Sequence, residues 1–253
     1  MRIKKFIVGP IETNCYLVAE GTSCQAMVID PDLRGPKELE RVRKELMRSG
    51  LALKYIVNTH GHTDHIAGNV ELKRTTGAAI LIHEQDASLL IEPWKPMVEM
   101  DEKGASPPCP VCKDGRLRIK VQDGREKAAV VCQDCGFCWF EMNASPAADR
   151  ILHDGDTIQL GHLVFRVIHT PGHTPGGISL YIKEENAVFT GDTLFNGAIG
   201  RTDLPGGSSD DIMGSLAKLT ALPADTIVYP GHGEATTIAQ EIRENPCLQK
   251  PAK

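Results

Sequence analysis

Apolar residues in this chain come in short runs broken by turn-forming residues, which predicts buried strands alternating with amphipathic helices. Ala26 to Asp30, Leu53 to Val57, Leu163 to Ile168, Ala187 to Phe189 and Thr226 to Tyr229 each read as a strand. Elsewhere the period lengthens. From Pro36 to Ser49 the apolar positions Leu39, Val42, Leu46 and Met47 recur at helical spacing and Gly50 closes the segment. From Ser209 to Leu219 the same spacing joins Ile212, Met213, Leu216 and Leu219. Both stripes are expected to be core, each burying one helix face against a sheet. The expected class is therefore α/β.

The residues that follow the strands carry the chemistry. After Leu53 to Val57 come His60, His62, Asp64 and His65. Thr170-Pro171-Gly172-His173-Thr174-Pro175-Gly176-Gly177 follows Leu163 to Ile168, Thr190-Gly191-Asp192-Thr193 follows Ala187 to Phe189, and Pro230-Gly231-His232-Gly233 follows Thr226 to Tyr229. Glycine permits close approach and unusual backbone angles, and proline fixes the entry of the chain, so such turns aim a side chain rigidly. Imidazole binds first-row transition metals and a carboxylate can bridge two of them, so the mixed set points to a transition-metal centre and fits calcium or magnesium poorly. His60 and His62 alternate across one extended tip and reach one ion; Asp64 and His65 begin the next turn and face a second. His169 is expected to pack or to support a ligand, and His83, His153 and His162 to be ordinary core or surface residues.

His60, His62, Asp64, His65, His173, Asp192 and His232 together resemble the motif set of the metallo-beta-lactamase superfamily, over most of the chain. Gly191-Asp192-Thr193-Leu194-Phe195, Gly200-Arg201-Thr202-Asp203, and Gly231 to Thr237 with Asn245-Pro246 are similar to the short bacterial glyoxalase II-like branch, the hydroxyacylglutathione hydrolases. The resemblance implies an αββα sandwich with metals at one edge of two facing sheets. It also implies that His60, His62 and His173 hold one ion, that Asp64, His65 and His232 hold the other, and that Asp192 bridges them. Zinc is the first choice, with iron or manganese as alternatives. Such a centre hydrolyses a thioester or related ester with a metal-bridged hydroxide that Asp64 orients, Asp64 being the expected catalytic residue. The larger glyoxalase II enzymes hold glutathione with a further helical domain and a lysine–tyrosine pair; here only a short segment follows His232, and Arg201 and Asp203 stand in the pair's place. Arg201 is expected to contact an anionic group of the substrate, and a thiol other than glutathione stays open. The rival reading is a persulfide dioxygenase with one iron on His60, His173 and Asp192.

A second pattern interrupts the first. Cys109-Pro110-Val111-Cys112 and, nineteen residues on, Cys132-Gln133-Asp134-Cys135 have the spacing of a closed four-thiolate zinc site, which can fold a small segment lacking its own core. Disulfides are the competing account, disfavoured where thiols stay reduced. Leu117 to Val121 and Ala128 to Val131 would form a hairpin about Asp123-Gly124, making residues 101–143 a zinc ribbon inserted into a catalytic domain of residues 1–100 and 144–253. Cys138 could replace Cys135 and is read as a spare thiol; Cys15, Cys24 and Cys247 are isolated.

Charge narrows the partners. Lys and Arg total 28 against 33 Asp and Glu, a formal net charge of −5, which argues against a generally basic nucleic-acid surface. The ribbon's Lys113, Arg116, Arg118, Lys120, Arg125 and Lys127 leave partner or nucleic-acid binding as a third reading, diluted by Asp114, Asp123, Glu126 and Asp134. Apolar runs stop well short of the roughly 20 residues that span a bilayer, and Gly9-Pro10 interrupts the start of the chain. A cytoplasmic enzyme of small-molecule substrates, off the membrane and open to homo-oligomer formation, is the expectation.

Overall fold

The computed structural model describes residues 1–92, 112–113, 117–122, 127–136 and 138–249. One six-stranded sheet contains β1 (Arg2–Val8), β2 (Thr13–Ala19), β3 (Gln25–Ile29), β4 (Ala52–Val57), β5 (Ala79–His83) and, across a long insertion, β9 (Arg150–Leu152), in that order. The insertion carries β6 (Leu117–Gln122), β7 (Lys127–Cys132) and β8 (Cys138–Asn143) as a separate antiparallel sheet. A second six-stranded sheet runs β10 (Thr157–Leu160), β11 (Leu163–His169), β12 (Ile178–Ile182), β13 (Ala187–Gly191), β16 (Ile227–Pro230) and β17 (Thr236–Thr237). A small ribbon, β14 (Leu194–Phe195) with β15 (Ala198–Ile199), leaves it after β13. Among the described residues there are six α-helices: α1 (Pro36–Arg48), α2 (Thr63–Ile66), α3 (Asn69–Thr76), α4 (Ala87–Ile91), α5 (Ser209–Thr220) and α6 (Ile238–Glu244).

Strand alternation sorts the apolar residues into three layers. Tyr16 and Val18 of β2, Met27 and Ile29 of β3, Val57 and Leu81 face the second sheet's Phe165, Val167, Ile178, Leu180, Ile182 and Phe189. Their neighbours Cys15, Leu17, Ala26, Val28, Ile56, Ile80 and Ile82 face the other way, onto Val42 and Leu46 of α1, Leu72 of α3 and Leu90 of α4. On the far side of the second sheet, Tyr181, Val188 and Val228 meet Leu216 and Leu219 of α5 and Ile238 of α6. The result is the αββα sandwich. No helix among the described residues is long and apolar enough to cross a membrane.

The helices begin where local chemistry favours them. Pro36 opens α1, and Glu38 reaches back to accept from the Gly35 N–H at 3.1 Å. Ser208 caps α5 by accepting from the Asp211 N–H, and Thr237 caps α6 by accepting from Gln240. The apolar stripes are narrower than expected: Met47 is 78% exposed and Met213 36%, so neither belongs to the core. Each lies one residue beyond a buried position, Leu46 or Ile212, about 100° around the helix and off the contact line.

In the insertion, the expected hairpin strands pair in register from Leu117 opposite Cys132 to Gln122 opposite Lys127. The third strand, β8, was not anticipated; it sets Cys138 opposite Val131. The turn at Asp123-Gly124 and Cys109 lie outside the described residues.

Candidate metal centre

Strand direction explains why four distant segments meet. β3, β4 and β5 run parallel, so the residues after them, Asp30, Asn58 to His65 and Glu84 to Asp86, leave the same edge of the first sheet. In the second sheet β12 is antiparallel to both β11 and β13, and β16 is parallel to β13. The turns after β11, β13 and β16 therefore share one edge too, and they carry His173, Asp192 and His232. The two edges are fastened together: Thr59 O accepts from Ile178 N at 2.9 Å, Gly231 O from Asn14 N at 2.7 Å, and Pro230 O from the Tyr16 hydroxyl at 2.7 Å.

All seven residues singled out as ligands converge. His60 Nε2 lies 3.1 Å from His62 Nδ1, which lies 2.9 Å from His173 Nε2. Asp64 Oδ2 is 3.1 Å from His65 Nε2 and 3.3 Å from His232 Nε2. Asp192 spans both groups, with Oδ1 3.4 Å from His65 Nε2 and Oδ2 3.5 Å from both His173 Nε2 and His232 Nε2. His60, His62 and His173 form one candidate metal-binding group and Asp64, His65 and His232 another, each with its donor atoms within 4.8 Å of one another. His60 and His65 are almost fully enclosed, whereas the His232 side chain is 25% exposed, so the centre opens on the His232 side.

The electrostatics fit cations. Burial and neighbouring imidazoles hold His60 well below its ordinary pKa, and burial with His173 pushes His62 down to about 4, leaving both neutral with lone pairs to donate. Burial opposes charge on His65 also, but Asp64, Asp192 and Asp30 outweigh it and raise its pKa: without a cation the carboxylates hold a proton there. The same interactions hold Asp64 and Asp192 below the usual carboxylate range against burial. Among the described residues His65 Nε2 and Asp192 Oδ1 are buried with no hydrogen-bond partner, a costly state for polar atoms that a shared ion would relieve. The donor set of imidazole and carboxylate suits zinc, iron or manganese.

Supporting contacts fix the rings. His65 Nδ1 is 3.0 Å from Asp30 Oδ2, an ion-pair contact that turns Nε2 inward; Asp30 also accepts from the Thr59 N–H and hydroxyl, both at 2.7 Å. Asn58 donates to His65 O at 2.8 Å and Thr13 to Asp64 Oδ2 at 3.2 Å. His169 stacks on His83 at 4.1 Å between ring centroids, and its Nε2 donates to Pro175 O at 2.8 Å, so it packs and supports the His173 loop and lies outside the seven-residue cluster. Of the other histidines set aside, His83 is buried, while His153 and His162 are exposed beside Glu84 and Glu20.

Arg201 enters through its backbone. His173 Nδ1 donates to Arg201 O at 2.8 Å, which fixes the ring with Nε2 toward the centre. The Arg201 guanidinium is exposed and forms a two-point pair with Asp203, 2.7 Å on each side. This pairing raises the Arg201 pKa and, mainly through the same hydrogen bond, holds Asp203 at about 2.

Away from this centre, Cys112, Cys132 and Cys135 bring their sulfurs within 4.8 Å of one another, with Cys112 and Cys132 3.7 Å apart, too far for a disulfide. Cys15 is buried in the core, Cys24 exposed and Cys247 half-buried, as isolated cysteines.

Three comparisons place this geometry. Residues 8–232 match the model of the metallo-beta-lactamase superfamily. Hydroxyacylglutathione hydrolase GloC of Haemophilus influenzae is 31% identical, with 98% of each chain covered. Among solved structures, TTHA1623 in a di-iron-bound form is similar with a TM-score of 0.71 and 29% identity, covering 96% of this chain and 98% of that one. ETHE1 from Myxococcus xanthus follows at 0.68 and 27%, covering 99% and 86%. With two facing sheets, a histidine–aspartate centre at their shared edge and a match along most of its length, the chain belongs to the metallo-beta-lactamase superfamily.

Proposed function

We propose that this chain is a dinuclear metal-dependent hydrolase of thioesters, acting on an S-acyl derivative of a low-molecular-weight thiol. The observation that carries this reading is the second donor group: Asp64, His65 and His232 are complete, buried or half-buried, and joined to the first group through Asp192. A mononuclear iron dioxygenase on His60, His173 and Asp192 gives those three residues no task. The hydroxyacylglutathione hydrolase among the relatives and the di-iron form among the structural neighbours support the same reading.

His60 Nε2, His62 Nδ1 and His173 Nε2 would hold one ion and Asp64, His65 and His232 the other, with Asp192 between them. When bound, such ions lower the pKa of a water toward about 7 and polarise an acyl carbonyl. Asp64 accepts a hydrogen bond from the attacking water and orients it toward the acyl carbon. Asp30 holds the His65 ring, and Arg201 O holds His173, so the donors need no rearrangement as charge develops. The water oxygen bonds to the acyl carbon, its protons pass to solvent, the carbon–sulfur bond breaks with its electron pair on sulfur, and a carboxylate and a thiolate leave. Zinc is the first choice of metal.

A separate structural zinc on Cys112, Cys132 and Cys135, with Cys109 as the expected fourth thiolate, would complete the inserted module of residues 101–143; the convergent sulfurs support it. Small-molecule thioesters are the partners this reading requires.

The test is a panel of acyl thiols of differing charge, followed by thiol release, beside a persulfide assayed with an oxygen electrode. Hydrolysis independent of oxygen is expected. Arg201→Ala is expected to raise KM for anionic substrates by up to about fivefold with kcat unchanged, because Asp203 already shares the guanidinium and exposed ion pairs contribute about 0–1 kcal/mol. Oxygen uptake with the persulfide and no thioester turnover would replace this reading with the dioxygenase.

A further inference from the structure

Asp86 stands outside the ligand set, yet it is fully buried beside it. It occupies the N-cap position of α4, where an aspartate ordinarily accepts from its own helix, but its side chain makes no such capping bond. Both oxygens go elsewhere. Oδ2 accepts from the Gly61 N–H at 2.9 Å and Oδ1 from the Gly176 N–H at 2.7 Å. Gly61 lies between His60 and His62; Gly176 lies three residues after His173. One carboxylate thus joins the two loops that supply all three imidazoles of the first donor group.

The contact is built on both sides. A Cβ on Gly176 would fall 2.5 Å from Asp86 N and 2.6 Å from its Cγ, and one on Gly61 would fall 2.5 Å from Leu89 Cβ, so each loop seats its backbone directly on the Asp86–Leu89 turn. The same segment supports the His173 loop a second time, through His83 stacked on His169 and His169 bound to Pro175 O. Asp86 spans loops that are otherwise held from different sheets.

We propose that Asp86 is a positioning residue that sets the His60–His62 tip against the His173 turn and so fixes the geometry of the three-imidazole metal site. The inference rests on the reading of those histidines as metal ligands. A carboxylate accepting two backbone N–H groups gives two charge-assisted hydrogen bonds. Asparagine keeps one acceptor and turns an NH₂ group toward the other N–H; alanine leaves both donors unmet.

The experiment measures metal affinity by chelator competition in Asp86→Asn and Asp86→Ala, using zinc and, for spectra, cobalt(II), whose thiolate-bound form is separated by its charge-transfer band. His62→Ala and His232→Ala mark the loss of the first and second sites. Val42→Ala, a core truncation beneath the first sheet, supplies a destabilised control, and the melting temperature of every metal-free protein is recorded. First-site affinity is expected to fall about tenfold or more in both Asp86 variants, following the pattern of His62→Ala, with second-site affinity changed less than threefold. Unchanged first-site affinity, or equal weakening of both sites in step with melting temperature as in Val42→Ala, would overturn the proposal. Because the readout is affinity, a wild type that binds metal without hydrolysing any thioester removes the substrate reading and leaves this one standing; His62→Ala with unaltered binding would remove both.

Discussion

Asp192→Ala is expected to lower kcat/KM by on the order of 10³-fold or more, in a protein that still folds. Asp192 is the residue that reaches across: its oxygens lie within 3.5 Å of His65, His173 and His232. Removing it deletes a carboxylate that addresses both donor groups and takes one negative charge from a buried cluster. Two divalent cations held by these donors would repel each other with less compensation, so metal retention is expected to fall with the rate. The fold does not depend on the carboxylate, since the strand that precedes it, β13, is held by the buried Val188 and Phe189 on opposite faces. Asp192→Asn keeps the volume but halves the acceptor capacity and should lie between. Steady-state kinetics with metal content on the same samples checks this; a loss under tenfold with metal retained would show that Asp192 does not bridge.

Gly231→Ala, which removes no functional group, is expected to cost at least about 10²-fold in activity. A Cβ there would sit 2.2 Å from Asp192 Oδ1 and 2.9 Å from His65 Cε1, and both atoms belong to the centre. The backbone cannot retreat, because Gly231 N donates to Gly191 O and Gly231 O accepts from Asn14 N. The side chains must therefore move, and misplacement by about 1 Å costs a reaction of this kind about 100-fold. Gly233→Ala is the control: its φ of +77° makes alanine strained, but among the described residues no atom lies within 4 Å of the added Cβ. It should lose about 1 kcal/mol of stability and little activity. Circular dichroism and kcat on the pair decide the matter; a Gly231→Ala enzyme of ordinary rate would mean the glycine serves only the turn.

The convergence of the seven side chains was legible in the sequence because each follows an apolar run where a strand ends, and strands of like direction bring such ends together. The sandwich was legible for a related reason: alternate residues of β2, β3 and β5 divide cleanly between two cores. The supporting carboxylates were not. Asp30 reads as the polar end of a strand and Asp86 belongs to no motif, and only the folded chain shows that one contacts His65 and the other joins the His60–His62 and His173 loops. Arg201 was noticed for its side chain, whereas its carbonyl orients His173; a backbone atom leaves no residue-type signal. Met47 and Met213 mark the limit of periodicity, which locates the centre of a buried face better than its rim. In β8, Cys138 drew attention as a thiol and not as the start of a strand.

The central claim, two catalytic metals with a separate thiolate site, is tested most directly by elemental analysis of the purified protein beside a Cys112→Ser, Cys132→Ser variant. About three metal ions per chain, falling to two in the variant with thioester hydrolysis retained, is the predicted result, since Asp64, His65 and His232 form a candidate second donor group and Cys112, Cys132 and Cys135 a third. One iron and one zinc per chain, falling to iron alone, would contradict it and leave a mononuclear centre.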